Sequence, residues 1–202
     1  MSGKNQGLGM PLVVYAMYRG RFPPPGGDIE EKHPPFSITD RQGRTITIRV
    51  YGEGPVDDEY AAIIDMYHTF DQRHRSLGIP PTTKSRIERW QSQMLADYCV
   101  LAWHKNRVAG QAVLVADSDR GYEFAIFLHQ DYHGAGIGTE LTIGMLSYGK
   151  SVGVTEVHLL VEGRNQPAVN LYRDVGFAII AEGAGDIEMG LTLYEPATAP
   201  TP

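Results

Sequence analysis

Three glycines in seven residues mark the stretch His133-Gly134-Ala135-Gly136-Ile137-Gly138-Thr139. An apolar run, Tyr122-Glu123-Phe124-Ala125-Ile126-Phe127-Leu128, precedes it, and apolar residues recur at helical spacing from Ile137 to Val152 after it. The local order is therefore strand, glycine-rich loop, helix. Residues without side chains let main-chain amides converge on an anion, and a helix N-terminus adds the positive end of its dipole. This stretch predicts a phosphate site.

Two nucleotide-binding motifs compete with this interpretation. The dinucleotide pattern G-x-G-x-x-G fails because Thr139 stands where its third glycine belongs. The string Gly144-Met145-Leu146-Ser147-Tyr148-Gly149-Lys150-Ser151 fits the nucleoside-triphosphate loop G-x-x-x-x-G-K-[ST]. Such a loop must follow a strand and open a helix, whereas this string lies within the helix that begins at Ile137. We interpret it as the last turns of that helix, with Lys150 well placed for the helix dipole, and an NTPase is the least favoured function.

A core from Thr45 to Glu195 surrounds the loop. Alternating and continuous apolar runs predict strands, and apolar residues at i, i+3, i+4 and i+7 predict helices. The sequence predicts an α/β (α+β) fold in which helices flank a mixed, mostly antiparallel sheet. The predicted strands are Thr45–Tyr51, Tyr98–His104, Val108–Asp117, Tyr122–Leu128, Glu156–Val161, 176–182 and Ile187–Tyr194, and the predicted helices begin at Asp57 as N-cap, after Pro80-Pro81, at Ile137 and at about Pro167.

The two ends of the chain differ from this core. Residues 1–44 contain Pro23-Pro24-Pro25, Gly26-Gly27 and Pro34-Pro35, which interrupt helices and strands alike. We expect an N-terminal extension over 1–44, one folded domain over 45–195 and a flexible tail over 196–202.

Composition excludes several classes of protein. There are 24 Asp and Glu against 18 Lys and Arg, giving a net charge of -6 with no basic stripe, so we expect no nucleic-acid partner. No apolar run reaches the roughly 18 residues of a membrane span, and Pro11 interrupts the apolar segment Met10–Tyr18, which argues against a signal peptide. The single cysteine, Cys99, lies in an apolar run and is expected to be a buried core residue of a cytoplasmic protein.

Two segments together carry a family resemblance. The run from His129 to Thr139 resembles motif A, Q/R-x-x-G-x-G/A, of the GCN5-related N-acetyltransferases (GNAT), with Gly136 and Gly138 on its fixed positions and His133 where the family usually has Arg or Gln. Further on, Asn165-Gln166-Pro167-Ala168-Val169-Asn170-Leu171-Tyr172-Arg173-Asp174-Val175-Gly176-Phe177 resembles the second signature, N-x-x-A-x-x-L-Y-x-x-x-G-F, at every fixed position. The resemblance covers the region from about Thr45 to Tyr194.

The resemblance implies direct transfer of an acetyl group from acetyl-CoA to a primary amine of a small molecule or protein. The loop from His133 to Thr139 would bind the pyrophosphate, and the main chain of Phe127 and Leu128 would pair with the pantetheine arm. Asn165 and Asn170 would also reach that arm. The amide of Leu128 would donate to the oxyanion of the tetrahedral intermediate.

The resemblance also implies a general acid and a general base. Tyr172 falls on the family's tyrosine, and a phenol with a reference pKa near 10 stays protonated at neutral pH. Glu123 is our candidate base because a carboxylate within an apolar strand is costly unless it is used or paired. Glu162, on the next strand, is the alternative base.

Some alternatives remain open from the sequence. His129 and His133 do not match a zinc motif, so no metal is expected. His68, Arg73, His74 and Arg75 are either solvated or face an acceptor. The main functional alternative is a non-catalytic acyl-CoA-binding module, and members of the family are often homodimers.

Overall fold

The structure is a computed structural model, and it describes Phe22 and residues 30–71, 80–117 and 121–193. Apart from the first strand and a short 3-10 helix, the elements within these ranges follow one another in the order expected from the sequence. The helices are α1 (Val56–His68), α2 (Lys84–Met94), α3 (Ile137–Ser151) and α4 (Gln166–Asp174), and a short 3-10 helix spans Gln130–Tyr132. The strands are β1 (Phe36–Thr39), β2 (Thr45–Val50), β3 (Tyr98–His104), β4 (Arg107–Asp117), β5 (Gly121–Leu128), β6 (Glu156–Glu162), β7 (Ala178–Gly183) and β8 (Asp186–Thr192).

The eight strands form one sheet in the order β1-β2-β3-β4-β5-β6-β8-β7. Every neighbouring pair is antiparallel except β5 and β6, which run parallel. The predicted mixed, mostly antiparallel sheet flanked by helices is therefore confirmed.

Two details differ from the sequence-based expectation. The edge strand β1 lies within the segment that was assigned to the extension, and it pairs with β2 from Phe36–Ile48 to Thr39–Thr45. Four residues directly after Pro34-Pro35 are too few to produce a periodicity signal. The predicted N-cap at Asp57 is wrong, because α1 begins at Val56 with Pro55 as its N-cap, and Asp57 lies in the acidic first turn, where it complements the helix dipole.

The sheet is covered on both faces. The helices α3 and α4 pack on one face in a cluster that includes Phe124, Leu141 and Tyr172. The helices α1 and α2 pack on the other face in a second cluster, which includes Tyr67 and Phe127. Because side chains alternate along a strand, successive residues of β5 face different helices.

The α1–α2 face contains a buried polar cluster. The Tyr67 hydroxyl donates to Gln111 Oε1 over 2.6 Å, and the amides of Gln91 and Gln111 bond each other at 3.0 and 3.2 Å. Cys99 lies beside Gln111, and burial raises the pKa of its thiol to about 12. The prediction that Cys99 is a buried core residue is confirmed.

Among the described residues, no helix is both long and apolar enough to cross a bilayer. The predicted tail and the apolar segment Met10–Tyr18 lie outside the described residues.

Candidate active site

A split opens in the sheet between β5 and β6. The two described strands pair at two positions, Tyr122 with Val157 and Glu123 with His158. Beyond these pairs β5 continues to Leu128 alongside β4, and β6 continues to Glu162 alongside β8. The last residues of β5 and β6 therefore border a notch that reaches the glycine-rich loop.

The β4–β5 ladder determines which main-chain groups of β5 face this notch. His129 N–H donates to the carbonyl of Ala109 over 2.9 Å. In an antiparallel pair, residues alternate between those whose N–H and C=O face the partner and those that face away. The main chain of Phe127 therefore faces β4, whereas that of Ile126 and Leu128 faces the notch. Phe127 contributes its ring to the α1–α2 face instead, 5.2 Å from the ring of Trp90.

The glycine-rich loop has the geometry of an anion cradle. Gly134 and Gly136 have φ values of 71° and 86°, in the left-handed region that favours glycine. Gly136 is the N-cap of α3 and has no side chain to cap the helix, so within the described residues the N–H groups of the first turn are left for solvent or a ligand. A side-chain carbon added at Gly134 would meet no atom within 4 Å, so the loop surface there is open. The predicted phosphate site therefore has the required local structure.

His133 is exposed, and its ring is directed toward the end of β5. Its Nε2 donates to the carbonyl of Leu128 over 2.8 Å. This bond connects the loop to the end of β5, and it engages the side chain that occupies the family's Arg or Gln position.

Residues before the predicted domain brace the same loop. The turn between β1 and β2 is held by Asp40, which accepts from the main chain of Gln42 and Arg44 and from Arg44 Nε at 2.6 Å. Arg44 Nη1 donates to the carbonyl of Asp131 at 3.0 Å, and its guanidinium lies 4.4 Å from the centre of the Tyr132 ring. Arg41 N–H donates to the carbonyl of Ala135 at 3.1 Å. Sequence reasoning missed these residues; the string Asp40-Arg41-Gln42-Gly43 is typical of a turn, but it carries no signal for the contact with the loop.

Tyr172 lies on α4, on the face of the sheet covered by α3 and α4. Its ring lies 6.0 Å from that of Phe124 and 5.9 Å from that of Phe177. Burial raises the pKa of the Tyr172 hydroxyl, so the group remains protonated well above neutral pH. That is the state a general acid needs.

Glu123 lies on the opposite face from Tyr172. Its neighbour Phe124 packs against α4, and its partner on β4, Val115, packs against the α1–α2 cluster. The residue is 9% exposed and lies at the point where β5 and β6 diverge.

Around Glu123, the α1–α2 face is lined by residues that sequence reasoning did not single out. His158 is buried beside it on β6, with Asp117 Oδ2 3.4 Å from its Nε2. Phe22 lies 5.9 Å from the ring of His158, and its carbonyl accepts from Thr192 Oγ1.

A family profile described as "Acetyltransferase (GNAT) family" matches residues 63–177. The chain belongs to the GNAT family. The mycothiol acetyltransferase of Actinosynnema mirum is 39% identical over 62 residues, which are 31% of this chain and 21% of that protein. This chain thus spans about a fifth of the length of that relative.

Solved GNAT structures share the fold. The GNAT domain of S. lividans PAT has a TM-score of 0.64 at 13% identity and covers 78% of this chain and 96% of its own. The yncA protein of Salmonella typhimurium, solved with acetyl-CoA, has a TM-score of 0.57 at 18% identity, and the match covers 76% of this chain and 97% of yncA.

The remaining predicted residues of this GNAT chain are placed as follows. Asn165 is the N-cap of α4, where its Oδ1 accepts from Ala168 N–H at 3.4 Å. Asn170 is exposed on α4, and Glu162 ends β6 with its carboxylate 2.7 Å from Arg164 Nε. His68 is exposed at the end of α1, whereas Arg73, His74 and Arg75 lie outside the described residues.

The string that imitates a nucleoside-triphosphate loop lies within α3, as predicted. Lys150 forms an ion pair with Glu31. The described residues contain no group of His, Cys, Asp or Glu arranged to hold a metal ion.

Proposed function

We propose that this GNAT chain is an acetyl-CoA-dependent N-acetyltransferase that acts on a primary amine of a small molecule or protein. One observation carries the proposal: the β5–β6 notch runs into the uncapped N-terminus of α3. A chain of main-chain donors there suits a pantetheine arm that leads to a pyrophosphate. Acetyl-CoA bound to the related fold of yncA supports this choice of donor.

The residues on the two faces of the notch suit the two halves of the reaction. Glu123, on the α1–α2 face, would accept a proton from the amine, directly or through water. The Leu128 N–H, which faces the notch, would donate to the oxyanion as the amine attacks the thioester carbonyl. Tyr172, on the other face, would protonate the departing CoA thiolate. Of the two protons that leave an ammonium acceptor, one ends on the CoA thiol and the other passes to solvent.

We place the amine site on the α1–α2 face. Glu123, His158 and the ring of Phe22 lie together on this face, so a carboxylate, an imidazole and an apolar wall would meet the acceptor. The Actinosynnema mirum relative is named a mycothiol acetyltransferase, which favours a small molecule as the acceptor. A cytoplasmic setting is consistent with the single buried Cys99.

Two measurements separate this function from its alternatives. CoA is expected to raise the melting temperature of the protein, whereas ATP at the same concentration leaves it unchanged, because Lys150 lies within a helix and is paired with Glu31. Release of free CoA from acetyl-CoA is then followed across a panel of primary amines. Stabilisation by CoA without release for any amine would instead favour the non-catalytic acyl-CoA-binding module.

The first mutational test concerns Tyr172. We expect Tyr172→Phe to lower kcat about tenfold or more, because the thiolate loses its acid, while the Kd of acetyl-CoA stays the same. The matched control is Tyr148→Phe, which removes the hydroxyl of a partly buried tyrosine on α3 that contacts Tyr98. Equal turnover in the two variants would remove Tyr172 from the mechanism.

A further inference from the structure

The turn between β1 and β2 places an arginine beside the glycine-rich loop. Arg41 Nη1 donates to the carbonyl of Gly134 at 3.4 Å, across 93 positions of sequence. Its Nε lies 3.7 Å from the position that a side-chain carbon on Gly136 would take. The guanidinium therefore lies over the two glycines whose geometry forms the cradle.

The main chain fixes this position more firmly than the side chain does. Arg41 N–H donates to the carbonyl of Ala135 at 3.1 Å, and the rest of the turn is held by the Asp40 carboxylate. Arg44 is not available to a ligand of the loop in the same way, because its guanidinium forms an ion pair with Asp40 and packs on the Tyr132 ring. Within the described part of the chain, the ion pairs formed around this turn include Arg44 with Asp40 but not Arg41, and Arg41 is exposed.

The loop itself contains no lysine or arginine. His133, the residue at the family's Arg or Gln position, directs its ring to the carbonyl of Leu128. A guanidinium offers five N–H donors in a planar fork that matches phosphate oxygens, and Arg41 uses one of them on Gly134. Main-chain amides and one exposed guanidinium therefore converge on the same space.

We propose that Arg41 binds the pyrophosphate of CoA and replaces the side chain that motif A usually provides. This inference rests on the proposed function, since it takes CoA as the ligand of the loop. It assigns a binding role to the segment before Thr45, which the sequence pattern placed outside the domain.

Calorimetric titration of the full chain with CoA and with dephospho-CoA tests the proposal. Arg41→Gln is expected to raise the Kd of both ligands about three- to tenfold, because both carry the pyrophosphate and the contact is solvent-exposed. Arg41→Lys, which keeps the charge but loses the fork, should recover part of the affinity. The Kd of the wild type should also rise more steeply with KCl than that of Arg41→Gln.

Arg86→Gln is the matched control, because Arg86 is exposed on α2, and it should bind both ligands like the wild type. Unchanged Kd values in Arg41→Gln would overturn the proposal. A loss confined to CoA would also overturn it, because the contact would then be to the 3′-phosphate. If the wild type itself binds no CoA, the proposed function fails along with the inference, so the two failures are distinguishable.

Discussion

Replacing Gly136 by valine is expected to raise the Kd of CoA by about a hundredfold or more. Gly136 has a φ of 86° and is the N-cap of α3. A β-branched residue with this φ is strained by roughly 1–3 kcal/mol. The loop can relieve the strain by changing its backbone angles, and the amides of the first helical turn then no longer point toward one anion. The added side chain also occupies space where a phosphate would approach those amides. Calorimetric titration with CoA measures the loss.

A control variant separates this loss from general destabilisation. Gly52 has a φ of 90° in the turn between β2 and α1, and a side-chain carbon there would meet no atom within 4 Å. Gly52→Val therefore introduces similar strain far from the loop and should lower the melting temperature without changing the Kd of CoA. If both variants bind CoA like the wild type, the loop is not the phosphate site.

Replacing Glu123 by glutamine is expected to lower kcat/KM by about a hundredfold or more at neutral pH, because the amine loses its base. In the wild type, kcat/KM should fall on the acidic side as the base becomes protonated. The glutamine side chain does not titrate, so this acidic limb should disappear in the variant. The Kd of CoA should be unchanged, since the proposed CoA contacts are made by the main chain of Leu128 and by the glycine-rich loop, not by the Glu123 carboxylate.

Glu162→Gln is the comparison variant for the base. Glu162 lies at the open end of the notch and is held by Arg164 at 2.7 Å. A retained acidic limb in Glu123→Gln, together with its loss in Glu162→Gln, would move the base to Glu162. Loss in neither variant would indicate that another group or solvent removes the proton.

Local patterns made most of this fold predictable. The strands around the loop and the helix after it were found because their periodicities depend on neighbouring residues, and the Asn165–Phe177 signature folds as one capped helix followed by a turn. Helical periodicity runs through Gly144 and Gly149, and it correctly assigned the string Gly144–Ser151 to a helix and not to a nucleoside-triphosphate loop. The missing side chains of these two glycines allow close packing against Ile48 and Leu114.

The features that the sequence did not predict depend on contacts between distant parts of the chain. Nothing local in Asp40-Arg41-Gln42-Gly43-Arg44 indicates that this turn braces a loop more than 80 positions away. The sequence also could not show which residues of β5 direct their main-chain groups toward β4 and which toward the notch. That direction depends on which residue of β4 each one pairs with. A shift by one residue would exchange the roles of Phe127 and Leu128.

The edge strand β1 has a consequence for the solubility of the fold. Without it, β2 would expose an alternating row, Thr45-Ile46-Thr47-Ile48-Arg49-Val50, whose main-chain groups invite pairing with another molecule. As built, the sheet ends on a four-residue strand that directly follows Pro34-Pro35. A short strand that follows two prolines offers a neighbouring molecule few main-chain groups to pair with, so the segment that braces the glycine-rich loop also covers the long edge of β2.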